Sequence, residues 1–274
     1  MNWTHFADRH HAALAADEIR HNILLAILRR KQKDPNLDVR AWDLGGPGRC
    51  AVQQDGYGIV LGDIEESDAG QLARMIVGDA PPGAAPSSGA PPSVMGPDDS
   101  GRWLVEALAK HDYAFASVTP QTIHVLDHHP VHPDCEGKFR LAEPADAELV
   151  VDWFGRFQAE VAPEGEPPAR EDIEQRIETQ RVFLWSLKSQ PVAMCCAGRM
   201  LDQGVGIAPV YTPPEHRCRG FAGAVTARVV EHVLTRGYRY AYLFTDDTNP
   251  ASCRCYAKIG FRPHCKADMY RRSD

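Results

Sequence analysis

The stretch Val210-Tyr211-Thr212-Pro213-Pro214-Glu215-His216-Arg217-Cys218-Arg219-Gly220-Phe221-Ala222-Gly223 joins a short apolar run, Val205 to Tyr211, to a segment with apolar residues at helical spacing. Its two arginines and closely spaced glycines suit an anion. Successive backbone N–H groups in such a turn, followed by the positive end of a helix dipole, make a phosphate cradle. Gly220 lets the backbone approach a pyrophosphate without a Cβ in the way, and Ala222 and Gly223 keep the first helical turn narrow.

Downstream, Ala224, Val225, Val229 and Val233 share one helical face and Gly237 ends the helix. From Tyr238 to Thr245 the residues Tyr238, Tyr240, Tyr242 and Phe244 alternate with Arg239, Ala241, Leu243 and Thr245, the period of a strand. Strand, anion loop, helix and strand therefore form a β-α-β unit built around a pyrophosphate. Asn249 before Pro250 then starts a second helix that Gly260 stops. Tyr256 falls two turns beyond Asn249 on the same side, within reach of a ligand arriving from the preceding strand.

In these two motifs the sequence resembles the GNAT superfamily of N-acetyltransferases. Arg217-x-x-Gly220-x-Ala222 is similar to that family's pattern of Arg or Gln, two residues, Gly, one residue, Gly or Ala. The run from Asn249 through Tyr256 to Lys258-Ile259-Gly260-Phe261 resembles the second motif, in which Asn and Tyr line the thiol end of the cofactor. The resemblance covers roughly Phe139 to Tyr270, about half of the chain. It implies an α+β fold, a mixed and mostly antiparallel sheet flanked by helices, and acetyl-CoA as cosubstrate. It also implies a cofactor site made of Val210, Tyr211, Thr212, Arg217, Cys218, Arg219, Gly220, Phe221, Ala222, Gly223, Thr245, Asn249 and Tyr256. Tyr256 is the expected catalytic acid in direct transfer of an acetyl group to an amine, a small molecule or a peptide. No acid stands on Val205 to Val210, where many members of the family place a base. The competing readings are a non-catalytic acyl-CoA sensor and another acyl-CoA reaction on the same fold.

Upstream of the loop, Arg170 to Thr179 forms a helix and Val182 to Leu187 and Val192 to Met200 form strands, and before them Glu143 to Glu160 forms a helix burying Leu149, Trp153, Phe154 and Phe157. The N-terminal half reads in a similar order. It has a helix from Asp17 to Arg30 with one before it from near Trp3, a meander over Val39 to Leu61, helices from Ser67 and Ser100, and an extended run from Tyr113 to Leu126. This looks like a second, degenerate GNAT-like copy. Where its anion loop should stand it offers Gly62-Asp63-Ile64-Glu65-Glu66-Ser67-Asp68, whose four carboxylates repel a pyrophosphate. The expected domains are 1–130, with a flexible Pro/Gly-rich insertion at about 80–97, and 138–274, separated by the proline- and histidine-rich segment Asp127 to Lys138.

A net charge of −7 argues against nucleic acid as a partner. The longest wholly apolar run, Ile23 to Leu28, is too short to span a bilayer, and no secretion signal is visible, so a cytoplasmic protein without a membrane partner is expected, as a monomer or homodimer. Cys195-Cys196 and Cys253-x-Cys255 do not resemble a disulfide framework. The cluster His124, Asp127, His128, His129, His132, Asp134 and Cys135 fits no familiar tetrahedral spacing, and no metal is expected.

Overall fold

In the computed structural model, which describes residues 2–78, 91–162 and 167–272, the chain divides into two compact units. The first comprises Met1–Ile123, Phe244–Asn249 and Pro263–Asp274, the second His124–Leu243 and Pro250–Arg262. Two consecutive segments were expected, whereas this division interleaves them. Most of the proposed insertion, residues 80–90, lies outside the described residues; of its remainder, Ser93–Met95 is a strand.

The N-terminal half contains helices α1 (Trp3–Ala16), α2 (Asn22–Lys33), α3 (Glu66–Gly78) and α4 (Ser100–Ala109) and strands β1 (Val39–Asp43), β2 (Cys50–Gln54), β3 (Ile59–Leu61), β4 (Ser93–Met95), β5 (Phe115–Thr119) and β6 (Gln121–Leu126). The helix expected from Asp17 starts later. Asp17 instead accepts the Arg20 backbone N–H on its side chain at 3.1 Å, holding residues 17–21 in a turn, as short acids do when they compete with a helix for backbone donors. The single extended run expected over Tyr113–Leu126 is interrupted at Pro120, which has no N–H to give to a ladder.

The C-terminal half contains β7 (Lys138–Leu141), α5 (Ala147–Val161), α6 (Arg170–Glu178), β8 (Val182–Leu187), β9 (Gln190–Met200), β10 (Gly204–Tyr211), α7 (Phe221–Thr235), β11 (Tyr240–Asp246), α8 (Pro250–Ile259), β12 (Arg262–Lys266) and β13 (Met269–Arg272). Near-continuous burial along β8 to β11, strands covered on both faces, and the buried face of α7 supply the core around Phe183, Cys195, Ile207, Val229 and Leu243. Tyr211 belongs to a second cluster, with Trp153, Phe154 and Ile177 beneath α5 and α6.

Both sheets are mixed and flanked by helices, and they repeat one order. The first runs β1-β2-β3-β4-β13-β5 and the second β12-β6-β11-β10-β9-β8-β7. β3 pairs parallel with β4, with α3 between them in sequence, as β10 pairs parallel with β11, with α7 between them. Reading the second sheet from β8 to β12 gives the first sheet's order with one exchange: the last strand of each half, β6 or β13, lies in the sheet of the other half. Two copies of one topology account for both orders. They also explain why the last residues of the chain group with the first unit, since β13 pairs antiparallel with both β4 and β5.

β13 also closes the core of the first unit. The Tyr270 ring packs against the cluster of Leu72, Leu104 and Leu108, and a Cβ added at Gly101 of α4 would meet that ring at 2.9 Å. Gly101→Val is expected to destabilise the first unit by about 1–3 kcal/mol through overpacking. A urea denaturation curve checks this, and an unchanged midpoint would remove the role given to β13.

Candidate cofactor site

The site grows from the way β10 leaves its neighbours. Its parallel ladder with β11 runs from Gly204↔Tyr240 to Gly206↔Tyr242, while its antiparallel ladder with β9 continues to Tyr211↔Met194. Between Ile207↔Ala197 and Val210↔Cys195 three steps on β10 match two on β9, a bulge that bends the strand. Gly198 permits it, since a Cβ there would lie 3.0 Å from the Ala208 carbonyl oxygen. The last five residues of β10 thus run on past the end of its parallel ladder.

A 3-10 turn at Pro214–His216 then leads to Arg217 in extended backbone, Cys218 at φ +60° and Gly220 at φ +84°. Gly220 is the N-cap of α7 and gives it no side-chain cap, and the helix's first backbone bond runs from the Ala224 N–H to the Gly220 carbonyl at 2.9 Å. The N–H groups of Phe221, Ala222 and Gly223 therefore face out of the first turn at the positive end of the dipole. Gly223 lets α8 and the 127–138 segment come close: a Cβ there would sit 3.3 Å from Pro133 Cγ and 3.4 Å from Cys255 Sγ.

The loop arginines are held in different ways. Arg217 donates from Nε to the Thr212 carbonyl at 2.8 Å and from Nη2 to Glu160 Oε1 at 2.6 Å, and its guanidinium lies over the Tyr211 ring at 5.8 Å. Arg219 lies over the Phe221 ring at 4.8 Å. The Tyr211 ring is 6.0 Å from that of Trp153. Burial, and then the charge of Glu160, raise the ionisation of Tyr211 above the usual tyrosine range. The buried Thr212 Oγ1 has no hydrogen-bond partner among the described residues.

Tyr256 stands half-buried on α8, its ring edge-on to Phe261 at 5.9 Å, and packs into the same core as Val210, Cys195 and Phe221. Burial pushes its hydroxyl well above the usual tyrosine range, the neighbouring Cys255 and Cys195 push in the same direction, and a hydrogen bond with Ser252 partly opposes them. Burial likewise raises the Cys195 and Cys255 thiols, so both stay protonated at neutral pH and are poor nucleophiles.

Of the residues expected from the sequence, the second unit thus gathers Val210, Phe221 and Tyr256 in one cluster and Tyr211, Thr212 and Arg217 in another. Cys218, Arg219, Gly220, Ala222 and Gly223 line the turn into α7. Thr245, buried near the end of β11, and Asn249, which donates its N–H to the Asp246 carbonyl at 2.9 Å just before α8, fall among the residues of the first unit. Sequence reasoning missed Glu160, Cys195, Pro133 and Cys135, whose Sγ is 3.6 Å from the Arg219 carbonyl. The segment read as a boundary packs here: the Val131 N–H donates to the Ile259 carbonyl at 2.8 Å. Among the described residues no group of three or more His, Cys, Asp or Glu side chains is placed to hold a metal ion, and no helix is long and apolar enough to cross a membrane. All eight cysteines are free thiols.

At the corresponding turn of the first unit, Asp63 and Asp68 are already engaged. Asp68 accepts from Arg49 Nε at 3.0 Å and from the Glu65 backbone N–H at 2.9 Å, so a side chain of the protein takes a donor that an anion would need. Asp63 is held down to about 2 by His21, whose Nε2 is 3.1 Å away, and by Arg20.

Residues 147–261 match the model of the acetyltransferase (GNAT) family. Solved structures extend the likeness over the whole fold. A protein from Drosophila is matched with a TM-score of 0.67 at 12% identity, over 99% of this chain and 97% of that one. A GCN5-related N-acetyltransferase from Kribbella flavida is matched with a TM-score of 0.59 at 15% identity, over 93% and 96%. A GNAT-family acetyltransferase from Colwellia psychrerythraea gives 0.54 at 16%, over 87% of each chain. No curated protein matches the chain. The chain therefore carries an acetyltransferase domain of the GNAT family within its second half, and its two mixed sheets are consistent with a pair of GNAT-like domains.

Proposed function

We propose that the second unit binds acetyl-CoA and transfers its acetyl group to an amine by direct attack. The observation that carries this reading is the uncapped first turn of α7, opened by Gly220 at φ +84°, directly after the strand that bends away at Val210. The N–H groups from Cys218 to Gly223 would hold the pyrophosphate, with Arg219 adding positive charge. Arg217 would reach it only by leaving Glu160.

In the transfer itself the amine nitrogen bonds to the thioester carbon, backbone donors near Val210 stabilise the oxyanion, and the C–S bond breaks. The departing sulfur takes a proton from Tyr256, and the proton lost by the amine passes to water, since β10 offers no carboxylate. Holding both substrates together supplies much of the acceleration. The protonated thiols of Cys195 and Cys255 support a route without an acyl-enzyme. The first unit, its acidic turn filled by its own side chains, binds no cofactor.

Thiol release from acetyl-CoA, measured over a panel of amines, peptides and aminoglycosides, tests the reading. Acceptor-dependent release is expected with at least one class. Tight acetyl-CoA binding with no release from any would instead identify a sensor.

A further inference from the structure

The second unit has a groove of about 460 Å³ at the end of β10 and α7 remote from the anion loop. Its lining includes Val205 near the start of β10 and Arg236 just past the end of α7, whereas the loop joins Tyr211 to Phe221. Six residues of strand and fifteen of helix separate the two places, about 20 Å in each case. The size is within the usual range for a small-molecule site.

The lining is chemically one-sided. Its floor is apolar, made by Phe183, Val205 and Val233. Around it stand Arg181, Arg236 and His232, and among the described residues no carboxylate lines the groove. The two guanidiniums bind only neutral groups among the described residues: Arg181 Nε donates to Thr179 Oγ1 at 2.9 Å, and Arg236 Nη2 meets Gln180 Oε1 at 3.4 Å. By contrast, Arg20, Arg49, Arg140, Arg170 and Arg217 each pair with a carboxylate. The His232 ring stands edge-on to Phe183 at 4.9 Å, and its Nε2 is buried without a hydrogen-bond partner among the described residues. A half-buried arginine with no counter-charge and a buried imidazole nitrogen with no partner are both costly unless a ligand completes them.

We propose that this groove is a binding site for a small carboxylate with an apolar body. The carboxylate would take the guanidinium donors, bidentate geometry being the natural match, and the body would cover Phe183, Val205 and Val233. Burial and the neighbouring Arg176 lower the Arg181 ionisation, in line with a guanidinium lacking its anion. The site is independent of the acetyl-CoA reading, because it shares no residue with the loop.

Titration of the full chain, labelled with ¹⁵N, with hexanoate, hexanamide or inorganic phosphate tests this by amide shifts. Hexanoate is expected to give saturable shifts at Ala197, Val205 and Val233, with hexanamide and phosphate each at least about tenfold weaker. Arg236→Gln, at an exposed position, and Arg181→Gln should each weaken hexanoate at least about fivefold, with thermal melts confirming folding. Should Arg181→Gln not fold, Arg236→Gln decides alone. The proposal is overturned by an absence of saturation to about 20 mM hexanoate. It is equally overturned by equal binding of hexanamide or of phosphate, by affinity unchanged in Arg236→Gln, or by shifts confined to Phe221–Ala224, which would place the anion at the loop.

Discussion

Replacing Gly220 by valine is expected to weaken acetyl-CoA binding at least tenfold, about 1.4 kcal/mol. Space is not the reason, because a Cβ at this position comes no nearer than 3.8 Å to Cys135 Sγ. The reason is the backbone. Gly220 sits at φ +84°, where a β-branched residue is strongly disfavoured, so the turn that aims the N–H groups of α7 must change shape. A side chain would also project into the cradle. Gly220→Asn separates the two effects, since asparagine tolerates the left-handed region: affinity kept in the Asn variant and lost in the Val variant assigns the loss to conformation. Calorimetry on folded variants measures both, and unchanged affinity in Gly220→Val would remove the loop from the site.

Replacing Tyr256 by phenylalanine is expected to lower turnover roughly a hundredfold or more while leaving acetyl-CoA affinity little changed. The ring, with its contacts to Phe261 and the core, stays; only the hydroxyl goes. A phenol at its ordinary pKa of about 10 would match a leaving thiolate closely. Burial raises this one higher, so it is a firmly protonated donor and a weaker acid. Its contribution then comes late, as charge collects on sulfur and the hydrogen bond to it strengthens. A thermal melt must accompany the kinetics, and a folded variant with normal turnover would leave Tyr256 with packing alone and give the proton to water.

The β-α-β unit was legible in the sequence because its signals are local. Glycines at 220, 237 and 260 mark positive φ, and the helical period of Ala224 to Val233 needs no knowledge of the partner strands. The exchanged strands were not legible. β6 carries a buried pattern that fits either sheet, and β13 lies in Met269-Tyr270-Arg271-Arg272, whose half-buried residues show no clean alternation. Choice of partner is settled by tertiary packing, which periodicity does not record. The same holds at the site. Glu160 is 57 residues from Arg217, and Cys135 is 84 from Arg219; neither carries a motif that would announce the pairing. The break at residues 17–21 was closer to hand, since Asp17 can take a backbone donor as readily as it can begin a helix.

If only one of two similar halves holds the cofactor, titration calorimetry of the full chain with acetyl-CoA reads it out as a stoichiometry. The uncapped turn at Gly220 and the self-satisfied turn at Asp63–Asp68 predict one molecule bound per chain, with binding sensitive to Gly220→Val. Two equivalent sites, or no binding by the folded protein, would contradict it.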